Sequence, residues 1–223
     1  MIEINELEMK FNEKRLFAAS ALQINSHGLL QICGVNGCGK TTLLRILASL
    51  TRPSGGDILI NGLSVCHQDS EVRKLLGYAA AQGSRFFPRL TGRENLVLFA
   101  RLRGLKARQI EDRLQWLTDT LDLSSALETP YALASSGMQQ KLNLSRALLH
   151  EPPIVIFDEP FRSLDAEGVS RLKNLMLLQS SQNLVIFVDH TDSFSAQNIT
   201  AWEIKEQRLA LAGRPARFLL RSL

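Results

Sequence analysis

The stretch Gly34-Val35-Asn36-Gly37-Cys38-Gly39-Lys40-Thr41-Thr42 constrains the fold of this chain more than any other. Its spacing, G-x-x-x-x-G-K-[ST], is that of a loop whose consecutive backbone N–H groups converge on a polyphosphate. Such a loop needs a strand before it and a helix after it. Residues 29–33, Leu-Leu-Gln-Ile-Cys, read as a buried strand, and residues 42–50 show helical periodicity, so a helix N-terminus adds its dipole to the anion site. The glycines let the backbone approach the phosphates closely. Asn36, Gly37, Cys38, Gly39, Lys40, Thr41 and Thr42 form the expected cradle. In it Lys40 reaches the β- and γ-phosphates, and the Thr41 hydroxyl ligates Mg²⁺.

With 223 residues the chain can bury a sizeable core, and one domain with a subdomain is expected. No apolar run reaches the ~18 residues that a membrane span requires. The N-terminus carries Glu3 and Glu6 and lacks a basic segment followed by an apolar one, so it does not read as a secretory signal. A cytosolic protein is the expectation. Three cysteines, Cys33, Cys38 and Cys66, argue against a disulfide framework and against a zinc site. Cys38 has two readings, a redox-sensitive thiol or a small residue that fits a crowded loop. A formal charge of +4 is a weak signal. The basic residues of 85–113 fit a solvated helical face as well as a surface turned to lipid headgroups or nucleic acid.

Residues 2–32 read as two or three strands, with alternation at Ile2, Ile4 and Leu7 and again at Leu22-Gln23-Ile24. A strong turn at Arg52-Pro53-Ser54-Gly55-Gly56 precedes a short strand over 57–62. From Thr91 the pattern changes. Residues 93–102, 108–121 and 137–149 place apolar side chains at i, i+3, i+4, a helical block inserted in an α/β chain. Residues 154–157 and 183–188 are apolar runs suited to strands buried on both faces, and residues 201–213 look like a closing hairpin. The expected fold class is α/β, a mostly parallel sheet with an antiparallel N-terminal β subdomain and a helical insertion. It forms one domain over 1–223, with 1–82 and 151–223 as the nucleotide-binding core and 83–150 as the helical subdomain.

Ile154-Val155-Ile156-Phe157-Asp158-Glu159 is a buried strand ending in two acids. A carboxylate delivered to the C-terminal edge of such a strand sits where open α/β sheets bind ligands. Asp158 would hold Mg²⁺, and Glu159, pointing elsewhere, would polarise an attacking water.

Over about residues 3–213 the chain resembles the nucleotide-binding subunits of ABC transporters. Ala134-Ser135-Ser136-Gly137-Met138 falls where that family has its signature, and residues 142–149 are similar to the helix that follows it. Ser163-Leu164-Asp165 matches the D-loop and His190 the switch histidine. Gly77-Tyr78 through Gln82 looks like the Q-loop, and Phe11 stands where the family puts an adenine-stacking aromatic.

The resemblance implies two copies facing head to tail with two ATP molecules between them. Each ATP lies on the phosphate loop of one copy and under Ser135 and Gly137 of the other. It also implies catalytic roles for Glu159, His190 and Gln82, Mg²⁺ held by Thr41, Asp158 and Gln82, and Asp165 at the nucleotide interface. Hydrolysis removes the bridging γ-phosphate and loosens the pair. The implied partners are an integral membrane subunit and a second ATPase subunit, with no nucleic acid, at the cytoplasmic face of the inner membrane. The helical block, with Phe86-Phe87-Pro88 near its start, would form the groove for a loop of the membrane subunit. Phe86 and Phe87 read equally as core residues, Phe11 reads also as an ordinary strand residue, and Asp165 also as a helix cap.

The chain departs from the family pattern at Ala134, Ser136 and Met138, while Ser135 and Gly137 remain. The segment Ala79-Ala80-Ala81-Gln82 is one residue longer than usual, so either Gln82 or Ala81 occupies the Q-loop position. Asp189 would raise the pKa of His190 through its nearby charge. A soluble ATPase of the same family acting on ribosomes or DNA is the alternative function, and a small-molecule kinase a third. The short chain and Asp158-Glu159-Pro160-Phe161 look like small export-type ATPases. The haem exporters of cytochrome c maturation are one such group, compatible with Leu16-Phe17.

Overall fold

Alternation of apolar side chains opens the fold. Strand β1 (Ile2–Phe11) buries Ile2, Ile4, Leu7 and Met9. The buried set moves from even to odd positions at Glu6, whose φ of 48° kinks the strand and shifts its register against its neighbour. In this computed structural model, residues 1–12, 14–81, 86–189 and 199–212 are described. β2 (Lys14–Ile24) folds back antiparallel on β1, pairing Ile2 with Ile24 and Phe11 with Lys14. β4 (Gly55–Ile60) covers the other edge of β1, and β5 (Leu63–Ser64) follows it.

The parallel half is built on β3 (Gly28–Gly34), which leads through the glycine loop into helix α1 (Lys40–Leu47). β3 lies between β8 (Leu184–Val188) and β9 (Ile199–Lys205), and β8 pairs in turn with β7 (Ile154–Asp158). β6 (Leu76–Ala79), reached through the short helix α2 (Asp69–Lys74), ends the sheet beside β7. β10 (Arg208–Leu211) turns back on β9 and meets β2 at Arg208 and Ala18. The result is one sheet of order β5-β4-β1-β2-β10-β9-β3-β8-β7-β6. Its antiparallel N-terminal half joins a parallel half, the α/β arrangement expected from the sequence.

Every residue of β7 and β8 is buried. Because side chains alternate across a strand, Ile154 and Ile156 enter one core and Val155 and Phe157 the other. The first core joins the antiparallel strands to α1, through Leu43, Leu44, Ile46 and Leu47. The second is covered by α3 (Gly92–Leu102), α4 (Ala107–Leu121), α5 (Ser124–Glu128), α6 (Ser136–Leu148) and α7 (Ala166–Ser180). Thr91 and Glu94 close a capping box at the start of α3. α6 lies so close to β6 that a Cβ on Gly77 would come 2.0 Å from the Ala147 carbonyl oxygen. Only glycine fits there, and it seats α6 beside the end of the β6 strand.

The three long helices expected over 93–102, 108–121 and 137–149 are α3, α4 and α6. β6, α2 and α5 are among the elements that the periodicity did not mark. Phe86 is core, stacked on Tyr131 at 4.5 Å between ring centres and edge-on to Phe99 at 5.3 Å, whereas Phe87 is exposed.

Candidate functional site

The glycine loop rests on the antiparallel strands. Gly39 has φ 109°, a left-handed conformation that favours glycine, and a Cβ there would come 2.9 Å from the Phe17 ring of β2. A fully buried ring is therefore the floor of the loop. Lys40, the first residue of α1, is only 6% exposed. Its ammonium donates to the carbonyl oxygens of Gly34 at 2.7 Å and Val35 at 3.0 Å, which holds the cation at the loop.

Across the sheet edge, Asp158 ends β7 and is 2% exposed. The Thr41 hydroxyl donates to Asp158 Oδ1 at 3.3 Å, so the strand end and the loop meet as the sequence predicts. A hydroxyl and a carboxylate are hard oxygen donors. Mg²⁺ commonly takes one or two such protein ligands and completes its shell with water and phosphate oxygens, so this donor pair fits it. Burial, and then the Asp158 charge, push the Tyr78 hydroxyl pKa upward, so Tyr78 stays neutral beside the site.

Glu159 follows with φ 51°. Its backbone N–H donates to the Val188 carbonyl at 3.0 Å, and its carboxylate lies 3.7 Å from the Arg162 guanidinium. Asp165 caps α7 by accepting from the Gly168 N–H at 2.8 Å. Ser135 caps α6 by accepting from the Met138 N–H at 3.2 Å, and its side chain is exposed. Among the described residues no hydrogen bond joins the Ser135–Met138 turn to the loop of Gly34 to Thr42.

A cavity of about 470 Å³ flanks the loop, lined by Leu16, Val35, Asn36, Cys38 and the β9–β10 turn. Phe11 is not among its lining residues. It sits at the end of β1, opposite Lys14, and is 55% exposed. Asn36, Gly37 and Thr41 are exposed, and Cys38, Gly39 and Thr42 half-buried. Gln82 and His190 lie outside the described residues.

Sequence reasoning gave no role to several buried polar residues around the helical block. Gln140 on α6 donates to the Pro160 carbonyl at 2.9 Å and to the Glu159 carbonyl at 3.4 Å. The available signal was its register. Gln140 falls in line with Leu144, Ala147 and Leu148 on the buried stripe of α6, where a polar residue needs a partner. Asn95, fully buried on α3, ties down the segment after residue 86 by accepting from the Phe87 N–H at 2.8 Å and donating to the Phe87, Leu90 and Thr91 carbonyls. Between the two cores a second cavity of about 340 Å³ is lined by Leu76, Tyr78, Phe99, Arg73, Arg103 and Arg146. The Arg146 guanidinium lies 5.3 Å from the centres of both the Phe86 and Phe99 rings. Burial lowers the pKa of Arg146 and of Arg103, and the Arg73 charge lowers that of Arg103 further.

Comparison with known proteins points to one family. The ABC transporter family model matches residues 17–162. The ABC transporter ATP-binding protein NatA of Bacillus subtilis is 32% identical over 195 residues, 85% of this chain and 79% of NatA. The cytochrome c biogenesis ATP-binding export protein CcmA 2 of Salmonella paratyphi A is 34% identical over 218 residues, 97% of this chain and 99% of that protein. A solved ATP-binding subunit of an ABC transporter superposes with TM-score 0.85 at 25% identity, covering 95% of this chain and 89% of its own. The fold is shared also with the cassette MJ0796, solved as a post-hydrolysis dimer with ADP and Pi, at TM-score 0.80 and 22% identity over 94% and 96% of the two chains.

Proposed function

The chain belongs to the ABC transporter family, and we propose that it binds and hydrolyses ATP as one of two identical subunits that close head to tail, energising export through a separate membrane subunit. The observation that carries this reading is the meeting of Lys40, Thr41 and Asp158 at one glycine loop. Lys40 would exchange its two loop carbonyls for β- and γ-phosphate oxygens, and the loop N–H groups would hold the same phosphates. Thr41 and Asp158 would hold Mg²⁺, which would supply neutralising charge for the γ-phosphoryl group. Glu159, one residue beyond the strand, orients the attacking water and takes up its proton.

Ser135 and Gly137 stand apart from their own loop, exposed or half-buried, at the N-terminus of a long helix. A helix N-terminus offers N–H groups to an anion, so a second copy's γ-phosphate is the ligand this end suits. Asp165, also exposed, would lie at the same face of the proposed pair. His190 would contact the γ-phosphate, Gln82 the metal or the lytic water, and Phe11 would stack on the base.

The 340 Å³ cavity combines the apolar walls of Phe99 and Leu76 with three guanidinium groups, of which only Arg73 has a carboxylate partner, Asp69 at 2.6 Å, among the described residues. A cytoplasmic segment of the membrane subunit bearing an acidic side chain complements it. Among the described residues no helix is long and apolar enough to cross a membrane. Attachment at the cytoplasmic face would therefore run through that partner. The near full-length correspondence to the Salmonella export protein supports the outward direction.

The test is Mg²⁺-dependent ATPase activity of the purified chain, with Glu159→Gln beside it. Loss of turnover by about 100-fold or more, with ATP now trapping a dimer in size-exclusion chromatography, is expected. Unchanged hydrolysis in Glu159→Gln rejects Glu159 as the base, and wild-type hydrolysis indifferent to Mg²⁺ rejects the metal assignment.

A further inference from the structure

We infer that Gln140 is the positioning residue for Glu159, so that the helix presenting Ser135 and Gly137 to one ATP also sets the catalytic carboxylate for the other. This rests on the function proposed above. Gln140 and Asn143 stand one turn apart on the buried face of α6, 9% and 3% exposed. An amide on a buried helix face is unfavourable unless bonded, so what it bonds to reveals its task. Asn143 donates to the Ala80 carbonyl at 2.8 Å, just past the end of β6. Gln140 donates to the Pro160 carbonyl at 2.9 Å and reaches the Glu159 carbonyl at 3.4 Å.

Those carbonyls belong to the turn that needs holding. Glu159 has φ 51°, a region that residues other than glycine enter uncommonly and keep only where their surroundings impose it. On one side the Val188 carbonyl of β8 accepts from the Glu159 N–H at 3.0 Å. On the other, the Gln140 amide holds the Pro160 carbonyl and shares the Glu159 carbonyl with the Arg162 N–H, which donates to it at 3.2 Å. Held at both ends, the turn keeps the Glu159 side chain off the axis of β7 while Asp158 stays in line with the strand. Without the amide, the turn loses a side-chain anchor and rests on its backbone bonds with Val188 and Arg162, so residue 159 can relax toward negative φ, which would shift the carboxylate.

The anchor rides on α6. Ser135 caps that helix and Gly137 lies in its first turn, one helical turn from Gln140. A helix moves as a rigid rod over so short a span. Any displacement of its N-terminus by a second copy's γ-phosphate therefore reaches the Glu159 turn of the same copy, and the two ATP sites are linked through one amide in each chain.

The test replaces Gln140 by methionine, which keeps the length and loses the donor, and by glutamate, which sets a carboxylate against two carbonyl oxygens. Mg·ATP turnover is measured for both. Gln140→Met is expected to lower kcat at least tenfold with KM for ATP within about twofold of wild type, and Gln140→Glu to lower kcat further. The ATP-trapped dimer is measured separately in Gln140→Met combined with Glu159→Gln, where it is expected to form as in Glu159→Gln alone. A Gln140→Met kcat within twofold of wild type overturns the positioning role. So does loss of the trapped dimer together with kcat, which would mean that the amide serves the fold as a whole. Wild-type turnover separates the two levels. Its absence refutes the proposed function, whereas normal wild-type turnover with unchanged Gln140→Met turnover refutes only the role of Gln140.

Discussion

Replacing Phe17 by leucine tests whether the phosphate loop depends on the ring beneath it. Phe17 is fully buried, and two of its ring carbons lie 2.9 Å from where a Cβ on Gly39 would stand, so ring and loop backbone are in direct contact. Leucine keeps an apolar side chain but fills less of that space, at a cost of about 1–2 kcal/mol in stability. The control is Ile110→Val, buried on α4 in the other core, at about 1 kcal/mol. The loop is read through ligand stabilisation in urea unfolding with and without Mg·ATP. ATP at about 100 times the wild-type Kd stabilises wild type by about 2.7 kcal/mol. If the loosened loop weakens binding about tenfold, the same ATP stabilises Phe17→Leu by only about 1.4 kcal/mol. Ile110→Val should keep the full increment. Full wild-type ligand stabilisation in Phe17→Leu would show that the ring is core alone and does not brace the loop.

Two further outcomes follow from charge. Arg162 sits 3.7 Å from the Glu159 carboxylate in a half-exposed pair. Such pairs contribute up to about 1 kcal/mol, so Arg162→Ala should remove one charge that competes for the carboxylate and raise kcat about two- to fivefold with little change in thermal midpoint. A fall in kcat would mean that the guanidinium assists the reaction. His150 is pushed down to about 4, chiefly by burial, with the Arg103 and Arg113 charges adding and the Leu76 backbone opposing. A histidine whose folded pKa lies below its unfolded value is protonated first in the unfolded chain as pH falls. The stability that neutral His150 supports is thus present above about pH 6.5 and lost on descent toward 4. With solvent screening of this partly exposed group, the loss between pH 7 and 5 should be about 1 kcal/mol smaller in His150→Leu than in wild type. Identical pH profiles in urea unfolding would refute it.

The parts of the fold that the sequence displayed are those whose pattern is local. The glycine loop shows itself by spacing, β7 and β8 by unbroken apolar runs, and the three long helices by period. β6 did not show. Leu76-Gly77-Tyr78-Ala79 is short and holds a glycine, and what makes it a strand is the pairing with β7 and the backbone of α6 lying over Gly77. α5 is a five-residue helix whose Ala126 and Leu127 bury against neighbours supplied by distant segments. Phe86 and Phe87 looked alike because adjacent residues carry no face until the chain direction is known. The fold sends the first inward against Tyr131 and leaves the second outside.

The candidate site divides along the same line. Lys40, Thr41 and Asp158 were legible as candidates because an ammonium, a hydroxyl and a carboxylate at the ends of a strand–loop–helix and of a buried strand suit the proposed use, holding a phosphate and its metal. Their meeting at 3.3 Å is what the topology adds. Ser135 and Gly137 required the family resemblance, since their proposed ligand would be held by another copy and no contact among the described residues betrays it. Gln140 was hidden for the opposite reason. Its partners are carbonyl oxygens of its own chain, which every residue possesses and no sequence marks. Only the fold shows that one of them belongs to a glutamate held at positive φ beside a phosphate loop. Candidates for holding a proposed catalytic group through its backbone are therefore found by asking what each buried amide is bonded to, and a single sequence offers only the prior hint of a polar residue on an apolar stripe.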